Sequence, residues 1–322
     1  MKQHYCEVGG QALIEGIMMR NKEKTCVSVR RKDGSITDTF IDVKPVNKTI
    51  AKIPLVRGLV SFASSMKIGM QALEISADYM AKDEEIFEEQ NKETANEIKD
   101  EIKDEKKESV LEKVFYPIIV ALSFIVSIVL FVCLPAGLSL VLKVFTDNRL
   151  VISIFEGFLR ILIFICYIKS ISLMPDIKRT FKYHGAEHKC LNCIEHGLEL
   201  NVENVMKSSK EHKRCGTSFL VYIMLVSIII FSLLPQVGIV QRMLLRLLII
   251  PLIAGLSYEL LMLLGKCDNA LVNILIQPGL WMQNLTTYEP DEKICEVAIE
   301  SIENIFDWKD WQEKTFKEKN AV

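Results

Sequence analysis

The sequence has almost no net charge: 39 basic residues stand against 41 acidic ones in 322, a balance of −2. Without a basic excess the chain is not built to grip nucleic acid, and no nucleic-acid partner is expected. It also lacks an even, closely spaced cysteine set. Its nine cysteines are an odd number, and Met1–Gln11 has no apolar core of the kind that directs secretion. The expectation is reduced thiols facing a cytosol, where clustered cysteines serve metals or reactivity rather than disulfides. Histidine is scarce, at five residues. What the sequence has in quantity is apolar bulk. Half of its residues are hydrophobic and mean hydropathy is +0.23, although 25% are charged. Charge and apolar surface must be segregated along the chain, and disorder throughout is excluded.

Val114–Leu142 holds no charged residue over 29 positions, and Thr217–Gln241 none over 25. About 20 helical residues cross a hydrocarbon core of about 30 Å, so each run is long enough to span. Each is followed by a less pure apolar stretch. Leu150–Met174 contains Glu156 and Arg160, and Met243–Gly265 contains Arg246 and Glu259. Glu156 and Arg160 are four apart and can pair on one helix face. A structural pair is the simpler reading, and the lining of a site the sharper one. The fold class read from this pattern is mainly α: a polytopic helical membrane protein with about four transmembrane helices plus a small α+β N-terminal cytosolic unit. The segment between Pro175 and Arg214 carries eight basic residues, against two around Lys143–Arg149 and one around Pro235–Arg242. That bias places the central loop and both termini on the cytoplasmic side.

The expected organisation is sequential. Residues 1–81 form an N-terminal unit, with a β-hairpin of Thr25–Arg31 and Ile36–Val43 turned at Lys32–Ser35. Leu59–Ala81 reads as a packed or membrane-surface helix. Residues 82–113 are a charged linker, with 13 acidic and seven basic side chains in 32 positions. Residues 114–174 and 217–265 are two transmembrane hairpins around a 175–216 loop. Residues 266–322 hold an interfacial helix with Trp281 and a last soluble helix whose stripe is Ile294, Val297, Ala298, Ile302 and Ile305.

The chemistry concentrates in the central loop. Four of the five histidines, His184, His188, His196 and His212, fall there, with Cys190, Cys193 and Cys215. His184 and His188 lie one helical turn apart and can share an ion, with Glu187 beside them in the order His-x-x-Glu-His. His212-x-x-Cys215 offers two further donors, and imidazole with thiolate suits a divalent metal, zinc above all. The candidate ligands are therefore His184, His188, His212 and Cys215, with Cys193 and His196 in reserve and Glu187 as catalytic base. Cys190 reads as packing. If all four donors bind, the ion is structural; if one does not, a position stays open and Glu187 can act on water there.

The sequence resembles the YqhQ-like family of bacterial membrane proteins nearly from end to end, apart from the acidic 82–113 segment. The resemblance is carried by Gly9-Gly10-Gln11-Ala12-Leu13-Ile14-Glu15-Gly16 through Arg20, by Pro54-Leu55-Val56-Arg57-Gly58 and by Tyr183-His184-Gly185-Ala186-Glu187-His188-Lys189. It continues through Arg214-Cys215-Gly216-Thr217-Ser218-Phe219, Ala254–Glu259 and Gln277-Pro278-Gly279-Leu280-Trp281. The sequence departs from the family pattern at Lys213, where proline is usual, and at Cys190, where threonine is expected. What the resemblance implies is a multi-pass protein of the bacterial cytoplasmic membrane and a metal-dependent enzyme of uncharacterised substrate. Glu15, Arg20 and Arg57 are the polar residues inside the N-terminal motifs and are candidates to complete a composite site. Their alternatives are a structural Glu15–Arg57 pair and an Arg57 contact with lipid phosphate.

Three functions follow as expectations. The first is metal-assisted hydrolysis or related chemistry at the membrane surface. The second is a non-enzymatic assembly or scaffold factor with a structural metal. The third is a transporter, kept open by Pro135 and Gly137 in the first span and Pro235 and Gly238 in the third. The partners expected are the lipid bilayer and an unidentified substrate or protein.

Overall fold

The computed structural model describes residues 3–22, 24–43, 53–95, 110–235, 237–265 and 269–317. Two compact units emerge. One comprises Met1–Ile86, Ile168–Tyr222 and Ala254–Val322, and the other Phe87–Tyr167 and Ile223–Ile253.

The first unit is organised by a sheet of four antiparallel strands in sequence order: β1 (Val8–Leu13), β2 (Gly16–Asn21), β3 (Lys24–Arg30) and β4 (Ile36–Phe40). The β3–β4 hairpin is the one expected from the β-rich runs, and Gly34 supplies its turn with a φ of +88°. The β1–β2 hairpin has no such sequence signal, since its first strand begins Val-Gly-Gly rather than with β-branched residues. Side-chain alternation buries both faces. Ile17, Met19 and Cys26 face one way, into a core shared with α5 (Pro175–Glu195) and α10 (Glu292–Glu303). Met18, Val27 and Val29 face the other, against Ile68 and Ala72 of α1 (Val56–Ala95). Three layers result, helix on sheet on helix.

Leu59–Ala81 is thus a packed helix. Beyond it α1 continues without a break into the acidic segment, as far as Ala95, and the rest of that segment, residues 96–109, lies outside the described residues. The first part of the extension is anchored by Arg31, whose Nε donates to Asp83 Oδ1 at 2.9 Å. On the far layer α10 starts at an Asp291 cap that accepts from Ile294 N at 3.0 Å, and its stripe Ile294, Val297, Ala298 and Ile302 is buried as the spacing requires. A short α6 (Val202–Lys207) and α11 (Trp308–Lys317) border the same core. Helix α9 (Ala270–Thr286) opens on an Asn269 cap and leaves Leu271, Ile274 and Trp281 exposed.

Among the described residues, four helical stretches are long and apolar enough to cross a membrane: Ala121–Val144, Leu150–Ile171, Gly216–Leu233 and Met243–Leu264. The first is a composite. After α2 (Val110–Ile128) a π turn over Val129–Cys133 leads into α3 (Leu134–Ser139), and a 3-10 turn, Leu140–Val144, ends it. Pro135 has no N–H to give the ladder, and the π turn sits where that bond is lost. The other three belong to α4 (Arg149–Ile171), α7 (Gly216–Leu233) and α8 (Ile239–Leu264).

The second unit has an ionic centre. Glu156 and Arg160 pair, as their spacing suggests, with Nη2 donating to Oε1 at 2.9 Å. Arg246 donates through Nη2 to the other carboxylate oxygen at 2.6 Å. Arg160 also donates to Ser227 Oγ at 2.8 Å and to the Phe131 carbonyl at 3.1 Å, so one cluster ties α4, α7, α8 and the π turn. Both guanidiniums lie over the Phe231 ring, at 5.1 and 4.9 Å. A single buried carboxylate balances two buried cations, so removing it is costly. Glu156→Ala is expected to destabilise the protein by about 3–5 kcal/mol, measured as a lowered unfolding midpoint in detergent. An unchanged midpoint would show that the cluster does not hold the bundle.

Candidate metal centre

Helix α5 positions the site. It begins at Pro175, whose missing N–H costs nothing in a first turn, and it runs antiparallel to the free edge of β1. In a two-residue hairpin alternate N–H groups of β1 point away from β2, and α5 meets one of these, and another just ahead of the strand, with carboxylates. Gly10 N donates to Glu187 Oε1 at 3.0 Å, and Cys6 N to Glu195 Oε1 at 3.0 Å. Gly10 has to be glycine, because a Cβ there would lie 2.7 Å from the Met18 carbonyl oxygen and 3.0 Å from the Glu187 carboxyl carbon. Gly185 is equally constrained. A Cβ on it would lie 2.0 Å from the Tyr288 carbonyl oxygen, so α5 rests directly on that backbone.

With α5 so oriented, His184 and His188 turn toward Cys215, the residue before α7. One donor atom from each of the three lies within 4.8 Å of the others. Each imidazole is held by its far nitrogen. His184 Nδ1 is 2.9 Å from the Thr286 carbonyl oxygen and His188 Nδ1 is 2.6 Å from that of Lys210. A carbonyl only accepts, so both Nδ1 atoms carry hydrogen and both Nε2 atoms are left for the centre. His184 Nε2 lies 3.2 Å from Cys215 Sγ. That sulfur also accepts from Thr217 N at 3.4 Å, at the start of a helix, where an anion is favoured.

The electrostatics match. Burial opposes ionisation of Cys215, but His188 and His184 outweigh it and hold the thiol well below its ordinary pKa. Burial also pushes His184 down, yet the Cys215 thiolate and Glu187 raise it to about 9. Burial dominates at Glu187 and raises its pKa, against the pull of His184 and His188. Two neutral-capable imidazoles and a thiolate form a donor set that zinc and related divalent ions favour.

His212, expected as a fourth ligand, is directed elsewhere. Its Nε2 donates to Glu195 Oε2 at 3.0 Å, its backbone N–H donates to Gln283 at 2.9 Å, and its carbonyl accepts from Gln283 at 2.8 Å. It stands beside the donor group without joining it, its ring centroid 5.7 Å from that of His188. The reserve residues also point away. Cys193 Sγ donates to the Glu199 carbonyl at 3.3 Å, and His196 Nδ1 to the Asn192 carbonyl at 2.7 Å. Cys190 is packed in the core.

A cavity of about 570 Å³ adjoins the centre, lined among others by Gly10, Arg20, Glu187, His188, Arg214 and Cys215. Of the three N-terminal candidates, Arg20 lines it. Glu15 is at the β1–β2 turn with a φ of +52° and is held by Arg179, whose Nη2 donates at 2.7 Å, and by Tyr183. Arg57 pairs with Glu259, its Nε donating at 2.7 Å.

Sequence reasoning missed Glu195. It lies 7 and 11 residues after His188 and His184, on the same helical face, and that spacing was the available signal. It takes hydrogen bonds from Cys6 N, His212 Nε2 and Gln3 Nε2, and lies 3.7 Å from Arg214. Burial raises its pKa, but the His212 bond and Arg214 outweigh this, and it titrates below its ordinary 4.5. A carboxyl depressed on folding stabilises above its unfolded pKa and loses that contribution as pH falls through the folded value. Glu195→Gln is expected to cost about 1.5–3 kcal/mol near neutrality, with the gap to the wild type closing below about pH 4.5. Stability curves of the two proteins against pH check this, and a gap that persists in acid would contradict it.

The protein family of unknown function DUF1385 matches residues 53–308 of the chain. The chain is similar to the uncharacterized protein YqhQ of Bacillus subtilis (strain 168), at 34% identity over 321 residues, covering 98% of this chain and 96% of that protein. No solved structure matches.

Proposed function

The chain belongs to the DUF1385 family, and we propose that it is a multi-pass protein of the bacterial cytoplasmic membrane whose cytosolic face carries a catalytic divalent metal site. The observation that carries this reading is the three-donor group. His184, His188 and Cys215 converge, while His212 is committed to Glu195. Structural zinc sites close with four protein ligands, and catalytic ones keep three and leave a position open. In this reading His184 Nε2, His188 Nε2 and Cys215 Sγ hold the ion, zinc by the softness of the thiolate. Bound there, such an ion supplies Lewis acidity at neutral pH.

The chain's own residues do the rest. Glu187 lines the cavity with one carboxylate oxygen anchored on Gly10 N–H. It is the base, taking a proton from water and returning it to a leaving group, and its raised pKa suits both halves of that task. Thr286 and Lys210 carbonyls keep the imidazoles in the ligating tautomer. The reaction class is metal-assisted hydrolysis or a related transfer at the membrane surface. The four apolar helices support membrane insertion, and the basic central segment supports a cytoplasmic placement for it and for both termini.

The test separates metal from chemistry. Purified wild type is expected to carry about one equivalent of a divalent metal, and His188→Ala and Cys215→Ser to carry almost none, by elemental analysis. Glu187→Gln is expected to keep the metal and fail to restore a deletion strain. Wild type without stoichiometric metal would overturn the site. Full restoration by Glu187→Gln would leave a structural ion in a scaffold protein instead.

A further inference from the structure

We propose that the cavity beside the three donors binds the phosphate group of its substrate, an inference that rests on the metal-site reading above and names the substrate class it leaves open. Two guanidiniums carry it. Arg214, adjacent to the ligand Cys215, lines the cavity with its Nε and Nη2 buried and without a hydrogen-bond partner. Its closest carboxylate, Glu195, stands at 3.7 Å, beyond hydrogen-bond length, and is already saturated by other donors. The same guanidinium carbon lies over the Tyr5 ring, 4.2 Å from its centroid, a contact that restricts the fork. Arg20 lines the opposite strand's contribution to the wall, and among the described residues no acceptor engages it. The third cation of the wall, Lys22, is neutralised by Glu7 at 3.0 Å.

Buried donors without acceptors cost about 1–3 kcal/mol each and persist where a ligand satisfies them. The missing partner of the Arg214 fork is therefore an anion, and one with several oxygens also suits Arg20, which is half-buried on the same wall. A tetrahedral phosphate offers more acceptor oxygens for two forks than a carboxylate does. The volume, about 570 Å³, holds a phosphate with a polar group attached.

Part of the wall is apolar. Tyr258 and Met262 come from the fourth apolar stretch, and Ile68 from α1. A separate face of α1 leaves Phe62, Met66 and Met70 between 41% and 53% exposed, at successive helical turns. A lipid headgroup and a soluble phosphate ester share the recognised chemistry, and this apolar wall favours the lipid.

The full chain in maltoside micelles, which contain no phosphate, is titrated with inorganic phosphate while its metal content is measured in parallel. Saturable binding is expected, weakened roughly tenfold or more by Arg20→Gln and by Arg214→Gln, with metal content and unfolding temperature held, and unchanged by Lys207→Gln. Should a glutamine variant unfold, Arg20→Lys and Arg214→Lys keep the charge without the fork and are expected to weaken binding partially. Phosphatidic acid added to the micelles is expected to compete with phosphate; binding without competition assigns a soluble phosphate ester. Absence of saturable binding, or binding that neither arginine affects, overturns the proposal. Wild type that holds metal and no phosphate overturns it alone, whereas arginine-dependent phosphate binding without metal overturns the metal reading and leaves the anion site.

Discussion

The edge of β1 must have its outward N–H groups satisfied, and the rest of the candidate site depends on how that is done. Among the described residues no fifth strand covers the edge. Helix α5 lies along it and meets the Gly10 and Cys6 N–H groups with Glu187 and Glu195. Glu187 and Glu195 are eight apart, a helical rise of about 12 Å, and they reach the Gly10 N–H in β1 and the Cys6 N–H two residues ahead of it. A buried unpaired N–H is costly, so the match fixes both the height and the rotation of α5. That rotation presents His184 and His188 to Cys215.

Buried polar groups in this region serve more than one contact. Glu195 caps the strand and also holds His212 by Nε2, which withdraws that imidazole from the donor group. Gln283 then locks the His212 backbone from α9 and donates to Ser218 in α7. Thr286, three residues further along α9, fixes the tautomer of His184 through its carbonyl. Cys215, the imidazoles and Glu187 are thus placed by separate segments, β1, α5, the stretch around Lys210, α9 and the start of α7. This is how preorganised donor sets are built.

Much of this was legible beforehand, and what was not has a physical cause. The apolar runs identify the four long helices, because an uncharged stretch of that length has few other fates. The His184–His188 pair was readable from its helical spacing. The direction of His212 was not, because it lies in non-helical backbone where spacing carries no facing information, and its competitor Glu195 is distant in sequence. The β1–β2 hairpin was hidden because Gly10 serves the contact with Glu187 rather than strand propensity. Glu15 and Arg57, polar residues inside conspicuous motifs, turn out to brace a turn and a helix start through Arg179 and Glu259.

The central claim is a centre of three protein donors with one position open. X-ray absorption of the zinc-loaded protein tests it most directly. The account predicts a first shell of one sulfur, two imidazole nitrogens and one oxygen from water. A third imidazole, which would bring His212 into the shell, or a shell without sulfur would contradict it.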